Sequence, residues 1–152
     1  MNPLLYNTNG LAFHRLDDAA RLLASLGYDG LALTPDVHHL DPTRARPDEV
    51  AGFRRVLEEL HLSVVIETGA RFVLDPFRKH RPTLLDAPPD ATKRLDFLKR
   101  CVDLAVELHA PVVSVWSGTA PEGLDAEAAH DRLASGLRRL CGVDEADLSD
   151  ML

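Results

Sequence analysis

The stretch Leu62-Ser-Val-Val-Ile-Glu-Thr-Gly-Ala-Arg71 most narrows what this chain can become. Val64, Val65 and Ile66 form an unbroken β-branched apolar run, which reads as a short strand buried on both faces. Strands of that kind belong to parallel sheets covered by helices. A carboxylate, Glu67, follows at once, and then Thr68, Gly69 and Arg71. Parallel α/β sheets bind ligands where their strands run out at the carboxyl ends. Glu67 therefore stands where chemistry is expected.

The rest of the chain can be aligned on this unit. Leu4 to Gly10 reads as a short strand ending in polar residues. A helix follows over about 15–26, with Leu16, Ala19, Ala20, Leu23 and Leu26 on one face. Asp17 and Asp18 suit its positive end, and Gly27 stops it. Tyr28 to Thr34 is a second strand, and Pro35 to Pro42 is its exit loop. A second helix spans about 47–60 through Val50, Phe53, Leu57 and Leu60. The Glu67 strand is third. A long loop from Gly69 to about Pro89 carries Arg71, Arg78, Lys79, His80 and Arg81, and loops of that length are usually functional. Asp90 is placed to cap a third helix through Leu95, Leu98, Cys101, Val102, Ala105 and Leu108. Ala110 to Ser117 reads as a fourth strand. Asp125 caps a fourth helix with Leu133, Leu137 and Leu140. Strand–helix alternation four times over means parallel strands with right-handed crossovers. Val64, Ile66, Val113 and Val115 alternate along the third and fourth strands, so one apolar set is expected to face the helices and the other the missing half of the sheet. Residues 1–141 form this α/β unit, and 142–152 are expected to be an acidic tail.

The charge of −7, from 17 basic and 24 acidic residues, argues against a nucleic-acid partner, which needs a basic face. No apolar run approaches the roughly 20 residues of a membrane span. The start of the chain lacks a basic region followed by an apolar one, so no signal peptide is expected. Cys101 and Cys141 lack metal spacing. Cys101 reads as a buried free thiol, which suggests the cytoplasm.

Five segments in order carry a resemblance: Tyr6-Asn-Thr-Asn-Gly10, Gly27-Tyr-Asp-Gly30, Asp36-Val-His-His-Leu40, Ile66-Glu-Thr-Gly-Ala-Arg-Phe72 and Val115-Trp-Ser-Gly118. Together they resemble the front half of a sugar phosphate isomerase/epimerase, a xylose-isomerase-like TIM barrel related in fold to endonuclease IV. The resemblance implies a parallel (βα)4 half of a barrel that in full has eight strands and about 250 residues. It also implies a small-molecule partner, a sugar or sugar phosphate, and a divalent metal such as Mn, Mg, Zn or Co. In the relatives the metal is held mostly from strands five to eight, so no metal ligand is assigned here. Activity would then need the other half, from a longer gene or a second copy. The chain is expected to be a fragment, a truncated product or a self-associating half-barrel, and the acidic tail would fit an early stop or a shifted frame. DNA cleavage in the endonuclease IV manner is disfavoured by the acidic charge.

Glu67 and His39 are the candidate catalytic residues. Glu67 suits a general base or a metal ligand, unless it is merely paired to Arg71. One of His38 and His39 can point into the mouth, where a neutral imidazole contacts substrate or metal; the alternative is a solvent-facing pair. Asn7 and Asn9, with Thr8, could bond sugar hydroxyls or simply make a tight turn. Arg71 could hold an anionic end. Trp116 could stack on a sugar face beside Ser117, or pack into the core. His14, His61, His109 and His130 are assigned no function. Two readings follow: a sugar isomerase or epimerase working by proton transfer, and a non-catalytic barrel fragment that binds a small molecule or a partner chain.

Overall fold

In the computed structural model, residues 3–142 are described. The chain alternates strand and helix: β1 (Leu5–Asn7), a 3-10 turn (Thr8–Leu11), α1 (Leu16–Ser25), β2 (Gly30–Leu33), α2 (Pro47–Leu60), β3 (Ser63–Glu67), α3 (Asp90–Glu107), β4 (Val113–Ser114) and α4 (Ala126–Cys141). The four strands form one sheet in chain order, and every pairing is parallel. This is the expected (βα)4 half of a TIM barrel. The acidic tail expected over 142–152 lies, from 143 onward, outside the described residues.

Local chemistry sets the helix ends. Asp17 and Asp18 occupy the first turn of α1, where the helix dipole favours negative charge. Gly27 follows α1 with a φ of 81°, a left-handed conformation that glycine adopts without a Cβ clash. Pro47 opens α2, and Glu49 reaches back to accept the Arg46 N–H at 2.9 Å. The Asp125 carboxylate accepts the Ala128 N–H at 2.8 Å and caps α4. Asp90 differs from expectation. It is the first helical residue of α3 rather than its cap, and its carboxylate faces Lys93 at 3.2 Å.

The core lies between the sheet and the helices. Leu31, Leu33, Val64 and Ile66 point into it, against Leu16, Leu23, Phe53, Leu57, Leu98 and Cys101. Cys101 is the buried free thiol that was expected, and burial pushes its pKa up to about 12. On α3, Leu104 rather than Val102 completes the buried stripe, and Val102 is 39 % exposed. Helix α4 is less covered. Leu133, Leu137 and Leu140 are half-buried, and only Gly136 is buried, where an added Cβ would meet Leu84 at 3.1 Å.

Strand alternation turns Gly30, Ala32, Ser63, Val65 and Glu67 to the opposite face. Apart from Val65 these residues are small or polar. Strand β4 is shorter than the expected Ala110–Ser117. Past Ser114, the Thr68 side chain takes over from the backbone ladder, donating to Ser114 O at 2.8 Å and accepting the Trp116 N–H at 3.4 Å.

Among the described residues β1 and β4 each have one neighbour, leaving two sheet edges unpaired. The 152-residue chain on its own is therefore expected to self-associate or melt without cooperativity. A monodisperse monomer in sedimentation that melts in one sharp calorimetric transition would contradict this. At Gly30 an added Cβ would sit 2.2 Å from the Ser63 carbonyl oxygen. Gly30→Ala should cost about 1–3 kcal/mol in urea unfolding, through forced separation of β2 and β3.

Candidate functional site

In-register parallel pairing brings the strand ends together at one mouth, and a hydrogen-bonded network spans three of them. Thr34, just past β2, is its centre. The Thr34 N–H donates to Thr8 Oγ1 at 3.0 Å. The Thr34 hydroxyl lies 2.8 Å from Glu67 Oε2 and 3.1 Å from Asn7 Oδ1. A hydroxyl has one proton to give, so the two acceptors share it and Glu67 has the shorter contact. Asn7 also accepts the Asn9 N–H at 2.8 Å, so the polar end of β1 folds as a 3-10 turn capped by Asn7.

Glu67 is half-buried and is not paired to Arg71. Its Oε1 has no hydrogen-bond partner among the described residues. Beside it Gly69 lacks a Cβ; one placed there would sit 3.2 Å from Oε2 and 3.8 Å from Oε1. The glycine therefore keeps a side chain from crowding the carboxylate on that side. Arg71 instead reaches across the mouth. Its Nε donates to Asn9 Oδ1 at 3.0 Å and faces Asp36 at 3.4 Å, and Nη2 donates to Asn9 O at 3.0 Å and to Asn9 Oδ1. Arg71 thus links the loops that follow β1, β2 and β3.

The adjacent histidines divide. His38 is exposed, whereas His39 is 2 % exposed and its Nε2 lies 3.0 Å from the His14 carbonyl. A carbonyl only accepts, so Nε2 carries the proton. Burial lowers the His39 pKa below 6.5, partly offset by the His14 bond and Asp36. The loop arginines are also internally engaged: Arg78 meets Asp75 at 2.6 Å and Arg81 meets Asp86 at 2.9 Å.

Trp116 and Ser117 follow β4, Trp116 half-buried and Ser117 exposed. The Trp116 ring lies 4.9 Å from the His80 ring at 59°. His80 Nδ1 donates to Gly69 O at 2.5 Å, which fixes the imidazole over the end of β3. The sequence groups His80 with the basic residues of this loop; its place over Gly69 is not legible there, because no local pattern reveals that a loop folds back eleven residues.

Arg94 is a contributor to the mouth that sequence reasoning did not single out. It is buried, donates to Thr68 O at 2.6 Å and lies over the Phe97 ring at 5.2 Å. Burial lowers its pKa to about 10, so it stays cationic at neutral pH below the end of β3. Its Nη1 has no partner among the described residues. The signal for it was legible, since position 94 falls on the apolar stripe of α3 with Phe97, Leu98 and Cys101.

Among the described residues, no three His, Cys, Asp or Glu side chains come together to hold a metal ion. Nor is any described helix long and apolar enough to cross a membrane.

The buried His39 makes stability depend on pH. Its folded pKa is depressed, so as pH falls the unfolded chain takes up the proton first. The contribution is complete above the unfolded value of about 6.5 and is lost as pH drops below it. Urea midpoints measured from pH 8 to pH 5 should fall more steeply for the wild type than for His39→Gln. Parallel curves would sink this assignment. Thr34→Val leaves Glu67 Oε2 without its donor and should cost about 1–3 kcal/mol.

No curated protein sequence matches the chain. Several solved structures share its fold. A D-psicose 3-epimerase determined in the presence of D-fructose is 13 % identical with a TM-score of 0.64, covering 85 % of this chain and 43 % of that one. The 3-keto-D-glucoside 4-epimerase of E. coli is 12 % identical with a TM-score of 0.67, covering 92 % and 51 %. D-psicose 3-epimerase with D-tagatose from Clostridium cellulolyticum H10 is 15 % identical with a TM-score of 0.62, covering 88 % and 44 %. The chain thus spans about half the length of the structures it matches. The family model described as Xylose isomerase-like TIM barrel matches residues 20–147. With four parallel strands whose polar ends meet at one mouth, this chain belongs to the xylose isomerase-like TIM barrel family.

Proposed function

We propose that this chain forms half of a sugar isomerase or epimerase site, binding a sugar at the mouth and taking part in proton transfer next to its carbonyl. The observation that carries this is Glu67: a half-buried strand-end carboxylate with one oxygen held by Thr34 and the other without a partner among the described residues. Such a group can act as a general base. Its Oε1 takes the proton from the carbon beside the carbonyl, and the C–H electron pair moves to form an enediolate. Delivery of a proton to the opposite face of that carbon by a second acid, such as water, epimerises the sugar while Glu67 keeps the proton it took. Return of that proton to the neighbouring carbon, with the hydroxyl proton passing between the two oxygens, isomerises it.

Around this base Asn7 and Asn9 hold hydroxyl groups, Trp116 offers its ring face, and Ser117 and the exposed His38 supply further polar contacts. Arg71 and His39 serve by position: Arg71 ties Asn9 to Asp36, and His39 ties the turn after β2 to His14. Because the loop arginines face carboxylates, a neutral sugar suits the mouth better than a sugar phosphate. The reduced thiol of Cys101 fits action in the cytoplasm.

A divalent metal such as Mn, Mg, Zn or Co would polarise the substrate oxygens. The donors among the described residues do not fit one, and no step above is routed through it. The same observation favours a second reading, a non-catalytic barrel fragment that binds a small molecule or a partner chain.

Saturation-transfer NMR with D-fructose tests the proposal. Glu67→Ala and Trp116→Ala should each weaken binding by about fivefold, or about 1 kcal/mol. In D2O, wild-type protein should exchange deuterium into the C–H beside the carbonyl, and Glu67→Gln should not. Saturable binding without exchange supports the second reading, and no saturable binding defeats the sugar assignment.

A further inference from the structure

Phenylalanine sits inside proteins, yet Phe13 is 101 % exposed and Phe72 45 %, and Val37 beside them is 59 % exposed. The three come from the loops after β1, β3 and β2, and they line one cavity of about 150 Å³ together with Thr8, Ala12 and Thr34. Of the polar groups around that cavity, Arg71 is taken up by Asn9 and Asp36 and His39 by His14, which leaves the exposed His38 at its edge. The walls are therefore mainly apolar.

From this cavity we infer a subsite for an apolar, ring-sized substituent, which makes the preferred ligand a sugar bearing an aryl or similar apolar aglycone. Three observations carry it. Size is the first: cavities near 150 Å³ with apolar walls accommodate a benzene-sized group. Position is the second: Thr34 both lines the cavity and donates to Glu67, so a ligand whose polar ring rests at Glu67 has its other end at the cavity. The third is the rim, where Phe13, Val37 and Phe72 offer apolar surface that a free sugar, hydroxylated all round, cannot use. The inference rests on the sugar reading above and extends it to the substrate class.

Calorimetric titration of the full chain with benzyl β-D-glucopyranoside, methyl β-D-glucopyranoside and benzyl alcohol tests it. The benzyl glucoside should bind about tenfold tighter than the methyl glucoside, as burial of an apolar ring predicts. Phe13→Ala and Phe72→Ala remove exposed side chains and spare the core; they should bring the two glucosides to within about twofold. Equal affinities in the wild type, or a preference that survives both variants, overturn the subsite. Affinity for the benzyl glucoside that falls as protein concentration rises also overturns it, because a second copy then covers the rim. Saturable benzyl alcohol binding, lost in Phe13→Ala, with no binding of either glucoside keeps the apolar subsite and defeats the sugar reading instead. Binding of the methyl glucoside that depends on Glu67, with no benzyl preference, keeps the sugar reading and defeats the subsite.

Discussion

Parallel pairing in chain order is the constraint from which the other features follow. Leu31 lies beside Val64, and Leu33 beside Ile66, so one row of side chains faces the helices and every strand ends in the same direction. The close approach of Gly30 to the Ser63 carbonyl holds β2 and β3 in that register. A slip of one residue would turn Ile66 outward and Glu67 into the core, where a lone carboxylate is not tolerated. Position and polarity of the mouth are thus consequences of core packing.

Polar residues past the strand ends then replace the ladder. Thr34 joins three strand ends through its N–H and its hydroxyl. Thr68 does the same between β3 and β4, donating to Ser114 O and accepting from Trp116. Arg94 donates to the Thr68 carbonyl, and His80 donates to the Gly69 carbonyl. In a partly desolvated setting polar groups gain from bonding one another, and a connected network fixes geometry better than isolated contacts. Glu67 is therefore a held carboxylate rather than a free surface acid, and that order is what a proton-transfer reading needs.

Much of the fold was readable from residue patterns. The 3.6-residue spacing in α1 and α2, the left-handed stop at Gly27 and the Asp125 cap depend on neighbours within a turn or two, and they appear where local chemistry puts them, except that Leu26 at the end of α1 is exposed rather than on its apolar face. The departures arise where a distant partner decides. Strand β4 ends early because the Thr68 side chain intervenes, and Leu104 rather than Val102 is buried because packing against the sheet decides which side of α3 faces inward. Arg94 hid in plain view: a charge on an apolar stripe reads as a boundary until its carbonyl partner is known.

The amino-acid order by itself determined the alternation of strands and helices, hence the parallel sheet, the shared mouth and the presence of Glu67 there. These follow from short-range periodicity and from the handedness of strand–helix–strand units, which leave few alternatives. Only the tertiary structure decided which side chains meet: that Arg71 turns to Asn9 and Asp36 rather than to Glu67, that His39 is buried while His38 is exposed, and that Phe13, Val37 and Phe72 ring one cavity. Those residues are tens of positions apart on separate loops. Their encounters depend on how each loop closes over the sheet, which no local pattern encodes.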